Sequence, residues 1–337
     1  MKNSMRNVVP IGHMYIGENV LEKGNIAGME KDKAAWAKDL DLPRQAQYTF
    51  FAGCGYQFMR YVEGMMKATA GMEKVGLGLE KGIGISKAFR RIGVDLPSIT
   101  AKVSSAGRGD SYTQVLVSAV GILQKLGLDI GYMYEDEPCC GSPLYYSGFL
   151  DDYIENARKN IEAFKAAGIK KIIGLIPACT ASLLDYYPKY VKGYDLEVFH
   201  FIEVVAEKLK EQKINPKLKQ KTKVVYHDPC QLSRYLEIVD APREVLRGID
   251  GVELVEPEPD QCKQWSTCCG GGGLEAASPD LCERLGLRRL EELLNTGANV
   301  ISSHCPACVM QLRRSAKKMK AEVKVLDLVE ILDEAFK

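Results

Sequence analysis

The chain has 337 residues, 46% apolar and 26% charged, which suits one large or two medium globular cores and excludes disorder as the starting expectation. Lysine and arginine total 45 against 44 acidic residues, so no excess positive charge is present to hold nucleic acid or an anionic membrane. Met1 to Glu18 lack the apolar core of a secretory leader, and no window approaches the roughly 18 uninterrupted apolar residues of a membrane span, so a cytoplasmic protein is expected, peripheral to a membrane only through partners. In that compartment eleven cysteines point to metal, cluster or redox work, and an odd count argues against complete disulfide pairing.

Residues 1–45 read as an N-terminal extension with one helix near Lys31 to Leu40. A β-rich segment, Tyr48 to Ala52, then runs into Gly53-Cys54. Cys139-Cys140-Gly141 follows after a long interval, then a run with helical apolar spacing (Ile154, Ala157, Ile161, Phe164) stopped at Gly168. The short strand Lys171 to Leu175 leads to Ile176-Pro177-Ala178-Cys179, and Val198 to Val204 reads as a strand entering a helix. Glu211 to Lys221 reads as a polar linker.

Beyond the linker the same order returns. Lys223 to Tyr226 leads to Cys230, and Cys268-Cys269-Gly270 precedes a helical run (Leu285, Leu287, Leu290, Leu293, Leu294) stopped at Gly297. Asn299 to Ser302 is the next strand, Cys305-Pro306-Ala307-Cys308 follows, and Val325 to Ile331 repeats the strand-to-helix passage. The 41-residue stretches Cys139–Cys179 and Cys268–Cys308 superpose without a gap at a shift of 129, which identifies an internal duplication. Alternating strands and helices predict an α/β fold of two tandem duplicated domains with mainly parallel sheets, at 46–210 and 222–337. Cysteines at strand ends and in first helical turns are expected to converge on the carboxyl edge of each sheet.

Between Cys54 and Cys139 lie 84 residues, but between Cys230 and Cys268 only 37, so the first half carries an insert at about 61–110. It is glycine-rich and basic (Lys67, Lys74, Lys81, Lys87, Arg90, Arg91, Lys102, Arg108), which reads as a solvated face, with a docking surface or a lid over the first site as the alternative. Gly76 to Gly82 does not have the G-x-G-x-x-G spacing of a dinucleotide loop and no strand precedes it.

In the second half Cys230, Cys268, Cys269, Cys305 and Cys308 make five thiols. A tetrahedral zinc site leaves the fifth and the adjacent pair unexplained, whereas neighbouring irons of one cluster can accept adjacent cysteines, so an iron-sulfur cluster is favoured over zinc. The doubled motif resembles the cysteine-rich CCG-domain family, typified by the B-type subunit of heterodisulfide reductase and the corresponding half of its D-type subunit. That resemblance covers roughly residues 46 to 337. It implies that Cys230, Cys268, Cys269, Cys305 and Cys308 hold a noncubane 4Fe-4S cluster, and that the chain is an iron-sulfur redox subunit acting on a disulfide, a thiol or a related sulfur compound.

The first half departs from the pattern, because Ile176 stands where the first cysteine of C-x2-C belongs. Cys54, Cys139, Cys140 and Cys179 remain, the complement of a cubane or altered 4Fe-4S cluster; a degenerate copy holding no cluster is the alternative. The chain lacks the C-x2-C-x2-C-x3-C runs of ferredoxins, so the resemblance implies a separate ferredoxin-type iron-sulfur partner, like the C-type subunit of heterodisulfide reductase, and a flavin-containing subunit is a further candidate. A second reading makes it the electron-relay CCG subunit of a flavin-linked hydroxyacid or glycerol-3-phosphate oxidoreductase passing electrons toward quinone.

His227 and His304 precede second-site cysteines and are candidates for proton donors or for hydrogen-bond donors to cluster sulfur, with backbone-satisfied strand-end histidines as the alternative. His13 and His200 read as structural or surface residues, and Cys262 and Cys282, without counterparts in the first half, as free thiols. The run Gly270 to Gly273 allows backbone to approach a cluster and donate N–H groups to it, with a tight turn alone as the alternative, whereas Ser142 to Tyr145 is bulkier, which favours substrate access at the second site.

Overall fold

A computed structural model describes residues 8–29, 33–74, 81–84 and 111–337. The expectations for Gly76 to Glu80 and for Lys87, Arg90, Arg91, Lys102 and Arg108 fall outside them.

Aromatic and β-branched runs form the strands, as expected for parallel sheets covered on both faces. In the first half β1 (Tyr48–Phe51), β2 (Ile130–Tyr132), β3 (Lys171–Gly174) and β4 (Glu197–His200) form a four-stranded sheet in the order β2-β1-β3-β4. In the second, β5 (Lys217–Tyr226), β6 (Asp250–Val255), β7 (Val300–Ser303) and β8 (Lys324–Asp327) repeat it as β6-β5-β7-β8. Every pairing is parallel. Even the register is duplicated: Phe50 pairs with Ile173, and Tyr226 pairs with Ser302 at the corresponding place. Strand order reverses between β1 and β3 and again between β5 and β7, which opens a crevice at the carboxyl ends of those strands.

The helices that follow each cysteine pair bury the same face. Helix Leu150–Ala166 buries Tyr153, Ala157, Asn160, Ile161 and Phe164, and helix Pro279–Leu294 buries Cys282, Gly286, Arg289, Leu290 and Leu293 at the positions 129 further on. That i, i+4, i+7, i+8, i+11 pattern is one helical stripe laid on the sheet. Gly168 and Gly297 stop the two runs with φ of 71° and 68°, the left-handed conformation that favours glycine. Cys282 stands where Tyr153 stands in the first copy, so its thiol is core packing.

Two local expectations are corrected. The extension has an α-helix at Ile11–Lys23, and among the described residues near Lys31 to Leu40 only the 3-10 turn Ala35–Ala37 appears. Gly12 and Gly17 weaken the helical signal of Ile11–Lys23, but Gly12 lets that helix lie against Ala276, since a Cβ there would stand 2.3 Å from the Ala276 carbonyl oxygen. In addition, β5 begins at Lys217, inside the stretch read as a linker. Its charged start is an exposed edge extension paired with Asp250, which needs backbone partners and little burial.

The halves pack directly on one another. Helix Ser111–Lys125 lies against Leu328–Ala335, helix Gly53–Lys74 against Pro306–Met319, and Pro177–Ala181 against the turn Gln231–Tyr235. No helix among the described residues is long and apolar enough to cross a membrane.

Candidate iron-sulfur centres

All eleven cysteines are free thiols, and nine of them stand at the carboxyl ends of the central strands and their neighbours. In the first half Cys54 opens the helix after β1, Cys139 and Cys140 follow β2, and Cys179 lies in the first turn after β3. Cys54 Sγ is 3.7 Å from Cys139 Sγ, and Cys140 Sγ is 3.1 Å from Cys179 Sγ. Gly53 has φ 69°, and a Cβ there would meet Ile176 Cδ1 at 2.7 Å and Cys179 Sγ at 2.9 Å, so glycine is required for the approach.

The loop carrying the first pair is tied down from behind. Asn156 and Asn160 donate to the Cys139 carbonyl at 3.1 and 2.8 Å, and Ser182 and Tyr187 donate to that of Cys140 at 3.3 and 3.0 Å. Glu137 accepts from the Ala52 and Gly53 amides at 2.7 and 3.0 Å and so joins the exits of β1 and β2. Burial pushes its carboxyl up to about 7.

In the second half Cys230 follows β5, Cys268 and Cys269 follow β6, and Cys305 and Cys308 bracket the start of the helix after β7. Cys269 Sγ is 3.2 Å from Cys308 Sγ. The amides of Gly270 and Gly271 donate to Cys268 Sγ and Cys269 Sγ at 3.3 and 3.4 Å, so the glycine run brings N–H groups onto the thiols as expected. At the position of Gly271 the first half has Ser142, whose hydroxyl lies 2.9 Å from Cys140 Sγ.

Electrostatics repeat with the geometry. Hydrogen bonding to Cys139 and then Cys179 holds Cys140 well below the ordinary thiol value, and hydrogen bonding to Cys140 pushes those two up. Cys269 is held down in the same way by Cys268 and Cys308, with a further contribution from His227. Burial pushes Cys230 up to about 11. Metal binds thiolates, so loading either group requires its cysteines to release their protons. The first group is enclosed, with all four cysteines buried, whereas Cys230, Cys268 and Cys305 remain partly exposed.

Of the two candidate histidines, only His227 stands among the sulfurs: a ring nitrogen, Cys269 Sγ and Cys308 Sγ lie within 4.8 Å of one another. Arg289 Nε donates to His227 Nδ1 at 3.0 Å, and burial holds the imidazole below its ordinary value. His304 is turned to the boundary between the halves, with Nδ1 3.2 Å from Asp327 Oδ1 and its ring stacked on Phe201 at 5.5 Å. His200 is fully buried and caps helix Phe201–Gln212 through Nδ1, which accepts from the Ile202 amide. His13 Nε2 lies 2.8 Å from the Gly273 carbonyl oxygen and joins the N-terminal helix to the glycine run. Cys262 is partly exposed, with its thiol 3.8 Å from the Pro259 carbonyl oxygen, and Cys282 is buried.

Sequence reasoning missed three groups. Arg243, fully buried, donates to both Asp228 oxygens at 2.7 and 2.9 Å and to Glu256 at 2.8 and 2.9 Å, binding the loop before Cys230 to the exit of β6. Arg289 is the second. The third crosses between halves, where Tyr146 donates to Gln231 Oε1 at 2.6 Å and Tyr186 meets the Tyr235 ring at 6.4 Å. Arginines in an amphipathic helix and tyrosines at a seam carry no motif, so only the fold reveals their partners.

The cysteine-rich domain family CCG matches this chain twice, at residues 105–184 and 224–313. Among curated relatives, the D-type subunit of the dihydromethanophenazine:CoB–CoM heterodisulfide reductase of Methanosarcina barkeri is 36% identical over 64% of this chain and 53% of its own length. The probable iron-sulfur-binding oxidoreductase FadF of Bacillus subtilis is 35% identical over 68% of this chain and 33% of its own. The EtfAB:quinone oxidoreductase of Syntrophomonas wolfei is 33% identical over 66% and 32%. The matched region thus spans about half of the first relative and a third of the other two. Two matches that take in half of the chain, the first holding β2, β3 and Cys139, Cys140 and Cys179, the second β6, β7 and Cys230, Cys268, Cys269, Cys305 and Cys308, establish that this protein belongs to the cysteine-rich CCG domain family and carries the domain in two copies.

Proposed function

We propose that the chain is an iron-sulfur subunit like the B-type subunit of heterodisulfide reductase, and that it acts on a disulfide, thiol or related sulfur compound at its second site. The observation that carries the reading is the five-thiol group at the carboxyl edge of the second sheet, open on the side of Cys230, Cys268 and Cys305 where the first group is closed.

The residues fit the group proposed for them. Cys230, Cys268, Cys269, Cys305 and Cys308 would hold a noncubane four-iron cluster, and Cys54, Cys139, Cys140 and Cys179 a cubane or altered one. Such clusters supply one-electron redox chemistry when bound. The chain's own part is to orient the thiols through the glycine amides, to enclose the first group, and to leave the second accessible. A disulfide takes up two electrons and two protons as it becomes two thiols. His227 is the candidate nearest the sulfurs for a proton or a hydrogen bond there; His304 is assigned to the boundary between halves.

A ferredoxin-like subunit is proposed as the electron-exchanging partner, with a flavin-containing subunit beyond it. The likeness to FadF and to EtfAB:quinone oxidoreductase favours a second reading as an electron relay toward quinone. Anaerobic reconstitution followed by reduction with a viologen separates the two. Reoxidation on adding disulfides, lost in Cys269→Ser, supports the sulfur reaction. Inertness to disulfides with turnover through an electron-transferring flavoprotein supports the relay.

A further inference from the structure

We infer that Arg289 fixes His227 as an N–H donor to the sulfur of the second site, which bars His227 from ligating metal and gives that site a hydrogen bond the first site lacks. The inference rests on the reading that the five thiols hold an iron-sulfur cluster.

A guanidinium has donors and no acceptor. Because Arg289 Nε points at His227 Nδ1 from 3.0 Å, Nδ1 must offer its lone pair, and the ring proton sits on Nε2. A histidine that binds metal through one nitrogen normally donates the other N–H to a carboxylate, carbonyl or water. Here ligation through Nε2 would leave Nδ1–H facing Arg289 Nε–H, two donors without an acceptor. Proximity to Cys269 and Cys308 alone makes His227 look like a ligand, and its partner on the other side argues the opposite.

The remaining nitrogen, Nε2, is buried and has no nitrogen or oxygen hydrogen-bond partner among the described residues. A buried N–H left unpaired is costly; Cys269 Sγ and Cys308 Sγ lie within 4.8 Å of a His227 ring nitrogen, and His227 helps hold the Cys269 thiol down, so sulfur of the group those cysteines hold is the acceptor for Nε2–H. Arg289 is itself immobilised: Nη1 donates to Glu292 Oε2 at 2.9 Å and to the Gln261 carbonyl at 2.8 Å, and Thr267 donates to Glu292 at 3.0 Å. Glu292 neutralises the guanidinium, so Arg289 contributes orientation rather than net charge, and it is a positioning residue.

The first half has no such pair. By the shared register His227 corresponds to Phe51, which packs edge-on against Phe164 at 6.2 Å. Arg289 corresponds to Asn160, which donates to the Cys139 carbonyl and to Tyr187 at 2.8 and 2.7 Å. Hydrogen bonds to cluster sulfur stabilise the more negative, reduced state and raise the reduction potential. The histidine thus raises the potential of the second site alone.

The test uses the full chain reconstituted anaerobically with iron and sulfide, and reads iron content, potentiometric EPR titration and pulsed EPR. His227→Phe, which copies the first half, is expected to keep its iron and lower the midpoint of the second-site signal while leaving the first unchanged. Arg289→Leu is expected to do the same, and Arg289→Lys to restore part of the shift. In the wild type, whose folding is not in question, pulsed EPR should show a proton coupling from the second site that disappears in D2O and no nitrogen coupling of ligand strength. A ligand-strength nitrogen coupling, loss of second-site iron in His227→Phe, or an unchanged midpoint with iron retained would overturn the inference. A wild type that binds no iron at all would instead overturn the cluster reading on which it rests.

Discussion

Ile176 and Cys305 occupy the same place in the two halves. Each has extended backbone (φ −93°, ψ 125° and φ −157°, ψ 124°), and each is followed by a proline that opens a helix carrying the next cysteine. The first site is therefore an intact scaffold in which one thiol has been exchanged for a buried branched side chain. Ile176 Cδ1 fills the space that a Cβ on Gly53 or Gly55 would enter.

From this relationship Ile176→Cys should supply the missing fifth thiol without disturbing the backbone. After reconstitution the first-site EPR signal should move toward that of the second, with iron content retained. The apoprotein should lose about 1–3 kcal/mol in urea denaturation for the apolar volume removed. A first-site signal identical to wild type would show that this position does not determine cluster type.

Asp327 joins the halves. It accepts from Tyr56 of the first half, faces His304 Nδ1 at 3.2 Å, and caps helix Leu328–Ala335 by accepting from the Val329 amide at 3.0 Å. Tyr56→Phe should cost about 1.5–3 kcal/mol, the range for a buried hydrogen bond to a charged group. Asp327→Ala should cost roughly 1 kcal/mol more because the cap is lost as well. Urea unfolding followed by fluorescence and circular dichroism checks both. Equal stabilities would remove Asp327 as a link between halves.

Arg243 and Asp228 form a fully buried ion pair, and Asp228 also accepts from the Lys263 amide at 2.8 Å. Arg243→Ala strands the buried Asp228 charge and should destabilise by about 3–5 kcal/mol, whereas Asp228→Asn leaves Arg243 paired with Glu256 and should cost less. Both should also impair loading of the second site more than the first, because the pair holds the segments leading to Cys230 and Cys268. Thermal unfolding and site-resolved EPR measure these effects. Equal loss at both sites would mean that the pair supports the fold generally.

Much of the fold was legible because the duplication made each half a control for the other. The gapless shift of 129 aligned Gly168 with Gly297 and the cysteines with one another, and parallel sheets then carried the nine candidate cysteines to the carboxyl edges. What stayed hidden depended on contacts between distant segments. Helix Ile11–Lys23 owes its place to Gly12 against Ala276 and to His13 at Gly273. The start of β5 is held by backbone pairing to β6 under a charged pattern that resembles a linker. Arg289 reads as one more basic residue on an amphipathic helix until His227 is seen beside it.

We propose two unequal iron-sulfur sites at equivalent places in the duplicated fold. Iron analysis with EPR on the anaerobically reconstituted wild type, Cys140→Ser and Cys269→Ser tests it most directly. About eight irons are expected in the wild type with two distinguishable signals, each variant losing a different one. A wild type with about four irons, both variants losing one and the same signal, or zinc in place of iron would contradict it.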